Sequence, residues 1–250
     1  MLRPAKGVLL AGGTGSRLRP LTKTISKHLL PVGREPMIMH PVRKFISAGI
    51  RDVLVVTGTE HMGQLVETLG SGRDIGIHFT YRVQDEAGGI AQALGLARDF
   101  VGDSPFLVLL GDNIFSGDLR RYVSEFREWS AKLEDWSYAG MVLLSVVSDP
   151  ERYGVAVITD ECLEKIEEKP VKPRSKYAVT GAYLYVGQAI FDLIEGLRPS
   201  GRGELEITDL NNALIKAHRI KYAVLEGEWT DAGTFESLAR ANAIVGVETP

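Results

Sequence analysis

The chain has 250 residues, 44% of them hydrophobic and 24% charged, with a formal net charge of −3. That composition supports a substantial core, as one domain or one domain with an elaboration. The interspersed charges leave no basic footprint for nucleic acid or an anionic membrane. A single cysteine, Cys162, excludes an internal disulfide and a cysteine-rich zinc site, and its strand-like setting predicts buried filler rather than a nucleophile.

In chain order, Arg3 and Lys6 precede only four apolar residues before Gly12, too few for a secretory leader. No later run approaches the ~20 apolar residues of a membrane helix, so a cytoplasmic protein is expected. Gly7–Leu10 reads as a strand, and 37–48 as a helix with Pro36 near its start and Gly49 as a stop. A β-branched strand follows at Val53–Thr57, then a short helix at Gln64–Leu69 and a strand at Ile77–Val83. Ile90–Asp99 reads as one helix, and Phe106–Leu110 as a strand apolar on both faces. Apolar strands separated by helices predict a parallel sheet covered on both sides, with ligands at its carboxyl ends. Beyond residue 135 the texture changes to strands at 138–146, 155–158, 163–167 and 177–186. Helices return only at Glu206–Ala217 and Phe235–Ala243. The prediction is a single α/β domain over 1–250, a mostly parallel half (1–135) joined to a β-rich half (136–250) that closes over its cleft.

The most informative stretch is V-L-L-A-G-G-T-G-S-R-L-R, from Val8 to Arg19. Gly12, Gly13 and Gly15 let the backbone turn tightly and press N–H groups against an anion. Arg17 offers a fork for outer phosphates, and Lys27 a mobile point charge close by. A P-loop is excluded because no Lys-Ser or Lys-Thr pair follows at the required spacing. A dinucleotide fingerprint is excluded because Leu18 and Pro20 stand where its helix should begin. Glycines alone would read as a tight turn with solvated arginines; the arginine and lysine together shift the reading to a triphosphate site.

From Leu9 to Val32 the stretch L-L-A-G-G-T-G-S-R-L-R-P-L-T…S-K-H-L-L-P-V resembles the signature of sugar-phosphate nucleotidylyltransferases, most closely the glucose-1-phosphate thymidylyltransferases. Matching motifs continue in order through 83–93, 110–117, 149–154, 167–185, 203–209 and 229–238. The resemblance implies a Rossmann-like nucleotidyltransferase fold with a nucleotide-binding first half and a sugar-phosphate-binding second half. It also implies Mg²⁺ on Asp112 and Asp231; taken alone, either aspartate reads equally well as a turn cap. It places thymine or uracil on Gln84 and Gly89, with Gly12 and Gly13 beside the nucleoside. An amide presents a donor and an acceptor, as a pyrimidine edge requires. It carries sugar binding onto Asn113, Gly154, Glu168, Val179 and Tyr183, and phosphate binding onto Lys169.

The implied reaction joins dTTP to glucose 1-phosphate, releasing pyrophosphate, in a homo-oligomer that uses neither nucleic acid nor membrane. UTP is the other nucleotide expected. Arg17, Lys27, Lys169, Asp112 and Asp231 are the expected catalytic set. The attacking sugar-phosphate oxygen is already ionised, which fits a chain whose five histidines form no triad or metal spacing. The alternatives are a uridylyl- or guanylyltransferase acting on another sugar phosphate, and a silent nucleotide-sugar sensor. The chain departs from the family pattern at Ser116, Thr230 and Ala232, and in the acidic run around Asp85 and Glu86.

Overall fold

The computed structural model describes residues 3–133 and 138–246, so the boundary expected at 135/136 lies outside the described residues. The chain opens on β1 (Lys6–Ala11). It passes through short 3-10 turns and the hairpin of β2 (Pro31–Val32) and β3 (Glu35–Pro36) to α1 (Met39–Ser47). Then come β4 (Asp52–Gly58), α2 (Met62–Leu69), β5 (His78–Gln84), α3 (Ile90–Gly95), α4 (Arg98–Val101), β6 (Phe106–Leu110), β7 (Asn113–Phe115) and α5 (Arg120–Ser130). The second half holds β8 (Ala139–Val146), β9 (Gly154–Thr159), β10 (Cys162–Glu168), β11 (Tyr177–Val186), α6 (Ala189–Glu195) and α7 (Ile207–Lys216). It closes with β12 (Ile220–Val224), β13 (Trp229–Asp231) and α8 (Phe235–Val245).

Nine strands form one sheet in the order β10-β9-β11-β6-β1-β4-β5, with β8 and β12 added beside β11. β6, β1, β4 and β5 are mutually parallel, and only β11 and β10 run against the common direction. The mostly parallel mixed sheet expected from the sequence is therefore present. Alternation along each strand divides its apolar residues between two cores. Leu9, Val53 and Val55 face Phe45, Tyr122 and Phe126 on one side. Val8, Leu54, Phe106 and Val108 face Leu94, Phe191, Leu210 and Leu214 on the other. A third core under α8 joins Leu18 and Leu30 near the glycine loop to Ile114, Ala232 and Ala241. Thr234 and Ser237 close a reciprocal capping box at the start of α8. No helix among the described residues is long and apolar enough to cross a membrane.

Three expectations change. The helix expected over Ile90–Asp99 is two short helices broken after Gly95, a residue that weakens helix interiors. Cys162 is in a strand but exposed, because the hairpin tip at Asp160 and Glu161, both with positive φ, sits beside it at the sheet edge. Helices α5 and α6 and strand β12 carry no counterpart in the sequence reading. α5 buries only Tyr122, Val123, Phe126 and Ser130 from an otherwise charged segment, a stripe too narrow to stand out.

Candidate active site

A cleft of about 340 Å³ opens at the carboxyl ends of β1 and β6 and extends to β9, β10 and β11. The loop after β1 contributes Gly12, Gly13 and Arg17, and the following turn contributes Lys27. Gln84 and Gly89 enter from the β5–α3 connection, Asp112 and Asn113 from the end of β6 and the start of β7. Gly154, Glu168, Lys169, Val179 and Tyr183 come from the β-rich half, and Asp231 from β13. The structure thus brings together every candidate site residue except Gly15. With φ at 61°, Gly15 shapes the loop from behind, its carbonyl accepting from Thr22 Oγ1 at 2.7 Å and Leu18 N at 2.9 Å.

At one end the segments that bear two of the carboxylates adjoin. β13 pairs with β7 so that Asp231 faces Asn113, and Ala232 N donates to Asp112 O at 2.8 Å. Lys27 Nζ lies 2.5 Å from Asp112 Oδ2, and both side chains are largely buried. Burial alone would raise the Asp112 pKa, but Lys27 and the hydrogen bond from Asn113 outweigh it and hold the carboxyl well below the usual carboxylate range. Asp231 accepts from Tyr153 OH at 2.9 Å and from Arg152 Nη2 at 3.1 Å. Arg17 approaches the same carboxylate: a Cβ on Gly233 would sit 2.9 Å from Arg17 Nη2 and 3.0 Å from Asp231 Oδ2. His28, buried behind the pair, is held neutral, its pKa pushed down to about 3 by burial and by Lys27.

Asn113 carries an unexpected load. Its Oδ1 accepts from Trp229 Nε1 at 2.7 Å and Gly181 N at 3.0 Å, while its Nδ2 donates to Asp112 Oδ1 at 2.9 Å. The side chain expected to meet a sugar lines the cleft and also orients the carboxylate. Gly181 reaches it from the irregular stretch between Val179 and Tyr183, where β11 shifts register against β8.

No group of three or more His, Cys, Asp or Glu among the described residues could hold a metal alone. Asp112, in the turn before β7, and Asp231, on the paired strand β13, offer hard anionic oxygens, with Asp112 kept ionised. That donor set fits a divalent ion such as Mg²⁺, which leaves most of its shell to phosphate oxygens and water.

Where Gln84 enters the cleft its hydrogen-bond partners are uncharged. Gln84, at the last position of β5, is 8% exposed, and its Nε2 donates to Gln92 Oε1 at 2.6 Å and Gly89 O at 3.4 Å. The loop between them is pinned to the α7 approach by Leu205 N to Gly88 O (2.8 Å) and Ala91 N to Leu205 O (3.1 Å). On the third side, β10 ends at Glu168, which accepts from Thr208 Oγ1 at 2.6 Å and Arg202 Nη2 at 3.2 Å. Lys169 turns off the strand with φ at 44°, its Nζ 3.4 Å from Glu168 Oε1. Tyr183, buried between Glu168 and Asp112, has its phenol pKa pushed up by that burial and those charges.

Residues 6–247 match the nucleotidyl transferase family. The chain belongs to that family. A glucose-1-phosphate thymidylyltransferase of Xanthomonas campestris pv. campestris is 44% identical over 94% of this chain and 79% of its own length. One of Neisseria meningitidis is 40% identical over 96% and 82%. A Bacillus anthracis protein crystallised with sucrose and assigned the same activity superposes with a TM-score of 0.90 at 54% identity, over 98% of this chain and 96% of that one. A UDP-glucose pyrophosphorylase bound to UDP-glucose superposes at 0.83 and 26% identity, over 97% and 98%. Family membership makes the protein an enzyme of nucleotidyl transfer.

Several lining residues of this nucleotidyltransferase escaped the sequence reading: Arg152, Arg202, Glu206 and Thr208. Arg152 falls in the matched segment 149–154, and the others fall in the matched segment 203–209 or beside it. Their proximity to those motifs was the available signal, but Arg152 also meets Asp231, and Arg202 and Thr208 meet Glu168, from distant strands.

Proposed function

We propose that this protein transfers the thymidylyl group of dTTP to glucose 1-phosphate, giving dTDP-glucose and pyrophosphate. The reading rests on one observation: a single cleft holds a cationic glycine loop, a neutral amide site, a carboxylate pair and the Glu168–Lys169 pair. The thymidylyltransferases among its relatives, similar over nearly the whole chain, support the same assignment. In the reaction a sugar-phosphate oxygen forms a bond to the α-phosphorus as the bond to the β-phosphate oxygen breaks, and pyrophosphate leaves with that electron pair. Arg17 and the loop N–H groups bind the outer phosphates, and Lys27 stabilises charge growing at the α-phosphate. Lys169 positions the incoming phosphate, while Glu168 accepts from sugar hydroxyls. No general base is required, because the nucleophile is ionised near neutral pH. Asp112 and Asp231 would hold Mg²⁺, which supplies charge neutralisation at phosphate oxygens when bound. Assembly as a homo-oligomer and a cytoplasmic setting accompany this reading by resemblance.

A uridylyltransferase is the second reading, favoured by the likeness to UDP-glucose pyrophosphorylase. Pyrophosphate release measured across a matrix of nucleoside triphosphates and sugar 1-phosphates separates the two. The expected result is highest kcat/KM for dTTP with glucose 1-phosphate and lower use of UTP. Faster turnover with UTP transfers the assignment to the second reading, and efficient use of GTP overturns both.

A further inference from the structure

The Gln84 amide is not free to choose its polarity. Gly88 N–H, a donor that cannot reverse, lies 3.2 Å from Gln92 Oε1 and fixes that atom as an acceptor. Gln92 Oε1 then takes a hydrogen from Gln84 Nε2 at 2.6 Å, and the Gly89 carbonyl takes the second at 3.4 Å. Both hydrogens of the Gln84 amide are thus committed inside the protein. Its Oε1 points the other way, toward the glycine loop: a Cβ on Gly12 would lie 2.9 Å from it. Two backbone groups at fixed positions therefore set the orientation of both amides.

We propose that Gln92 is a positioning residue that holds Gln84 as a pure acceptor toward the nucleobase, so that among pyrimidines the site admits those with a ring N–H and rejects cytosine. This rests on the reading of the cleft as a nucleotide site with Gln84 at the base. Thymine and uracil carry N–H at ring position 3 and satisfy the Gln84 oxygen. Cytosine carries a lone pair there, so two acceptors face each other and both lose their partners. A free glutamine would rotate and donate to cytosine instead; one tied through Gln92 cannot. Gln92 touches no substrate in this account and acts only through Gln84.

The test compares dTTP and dCTP on Gln92→Leu, which keeps bulk but cannot accept, and Gln92→Glu, whose carboxylate accepts from both Gln84 and Gly88. Steady-state kcat/KM and calorimetric nucleotide affinity are measured on each. The unmodified protein should favour dTTP by about a thousandfold or more. Gln92→Leu should narrow that ratio by about tenfold or more, through nucleotide KM rather than kcat. Gln92→Glu should restore the ratio, which a merely structural role for Gln92 would not do. If the leucine variant does not fold, Gln92→Ala takes its place. An unchanged ratio in the variant lacking an acceptor, or equal losses for both nucleotides in both variants, overturns the proposal. Absence of pyrophosphate release from dTTP and UTP would sink the functional reading instead, while the affinities still judge Gln92.

Discussion

The two ends of the cleft solve the problem of standing ready in opposite ways. At the reacting end every carboxylate is already matched by a cation, Asp112 by Lys27 and Asp231 by Arg152. At the base end no ionised side chain takes part, and Gln84 is held by hydrogen bonds to Gln92 and Gly89. Charge is attracted in all directions and can be shared among successive partners, so the first arrangement can exchange partners as phosphates arrive. A hydrogen-bonded amide is directional, so the second must be correct beforehand. Plasticity belongs to the ionic end and selectivity to the neutral one.

The largest expected effect breaks the ionic end. Asp112→Asn and Asp231→Asn should each cost on the order of several kcal/mol of transition-state stabilisation. They should differ in the fold. Asn at 112 leaves the largely buried Lys27 without its counter-ion, so stability should also fall, by about 3 kcal/mol. Loss of the Asp231 charge leaves Arg152 with Asp149 at 2.8 Å, and stability should hardly change. Turnover at limiting Mg²⁺ and denaturant unfolding are the two measurements. Near-normal turnover in both variants would remove the metal assignment.

A smaller effect separates the two cations. Lys27→Ala should lower kcat and kcat/KM together, on the order of a hundredfold, because charge grows at the reacting phosphorus. Arg17→Ala should act chiefly on nucleotide KM. A Lys27 variant altered only in KM would contradict its role and make the ionic end a binding device alone.

The smallest effect concerns pH. His28 has a pKa near 3 when folded against an ordinary value of 6.5. The unfolded chain therefore binds the extra proton between those values, and stability rises with pH through that window. Acidification from pH 7 to 5 should cost about 2 kcal/mol through His28. His28→Gln should flatten the profile of unfolding free energy over that range. An unchanged slope would mean that His28 is not the group responsible.

Much of this was legible in the chain, for identifiable reasons. Phe106–Leu110 is apolar at every position because both sheet faces are covered, and its bounds coincide with the strand. The glycine loop, Asp112 and Asp231 sit in motifs whose local order is readable. Gln92 and Arg152 were not: Gln92 acts through the turn that returns it to Gln84 and Gly88, and Arg152 through Asp231 on a distant strand. β12 was missed for a related reason: as an edge strand, half exposed, it shows neither a continuous apolar run nor a clean alternation. The internal partners of Asn113 were equally hidden, since nothing local announces that Trp229 and Gly181 converge on its oxygen.

That convergence makes Trp229 an optical gauge of the reacting centre. Its indole N–H is two hydrogen bonds from the Asp112 carboxylate, through Asn113. Its ring packs edge-on, at 5.1 Å between centroids, against Tyr153, whose hydroxyl donates to Asp231. Indole emission responds to the electric field along the ring, and linked hydrogen bonds polarise one another. Any exchange of partners at either aspartate alters that field, so the emission of Trp229, separated from that of the chain's two other tryptophans by their replacement, reports the electrostatic state of the catalytic centre without an added label.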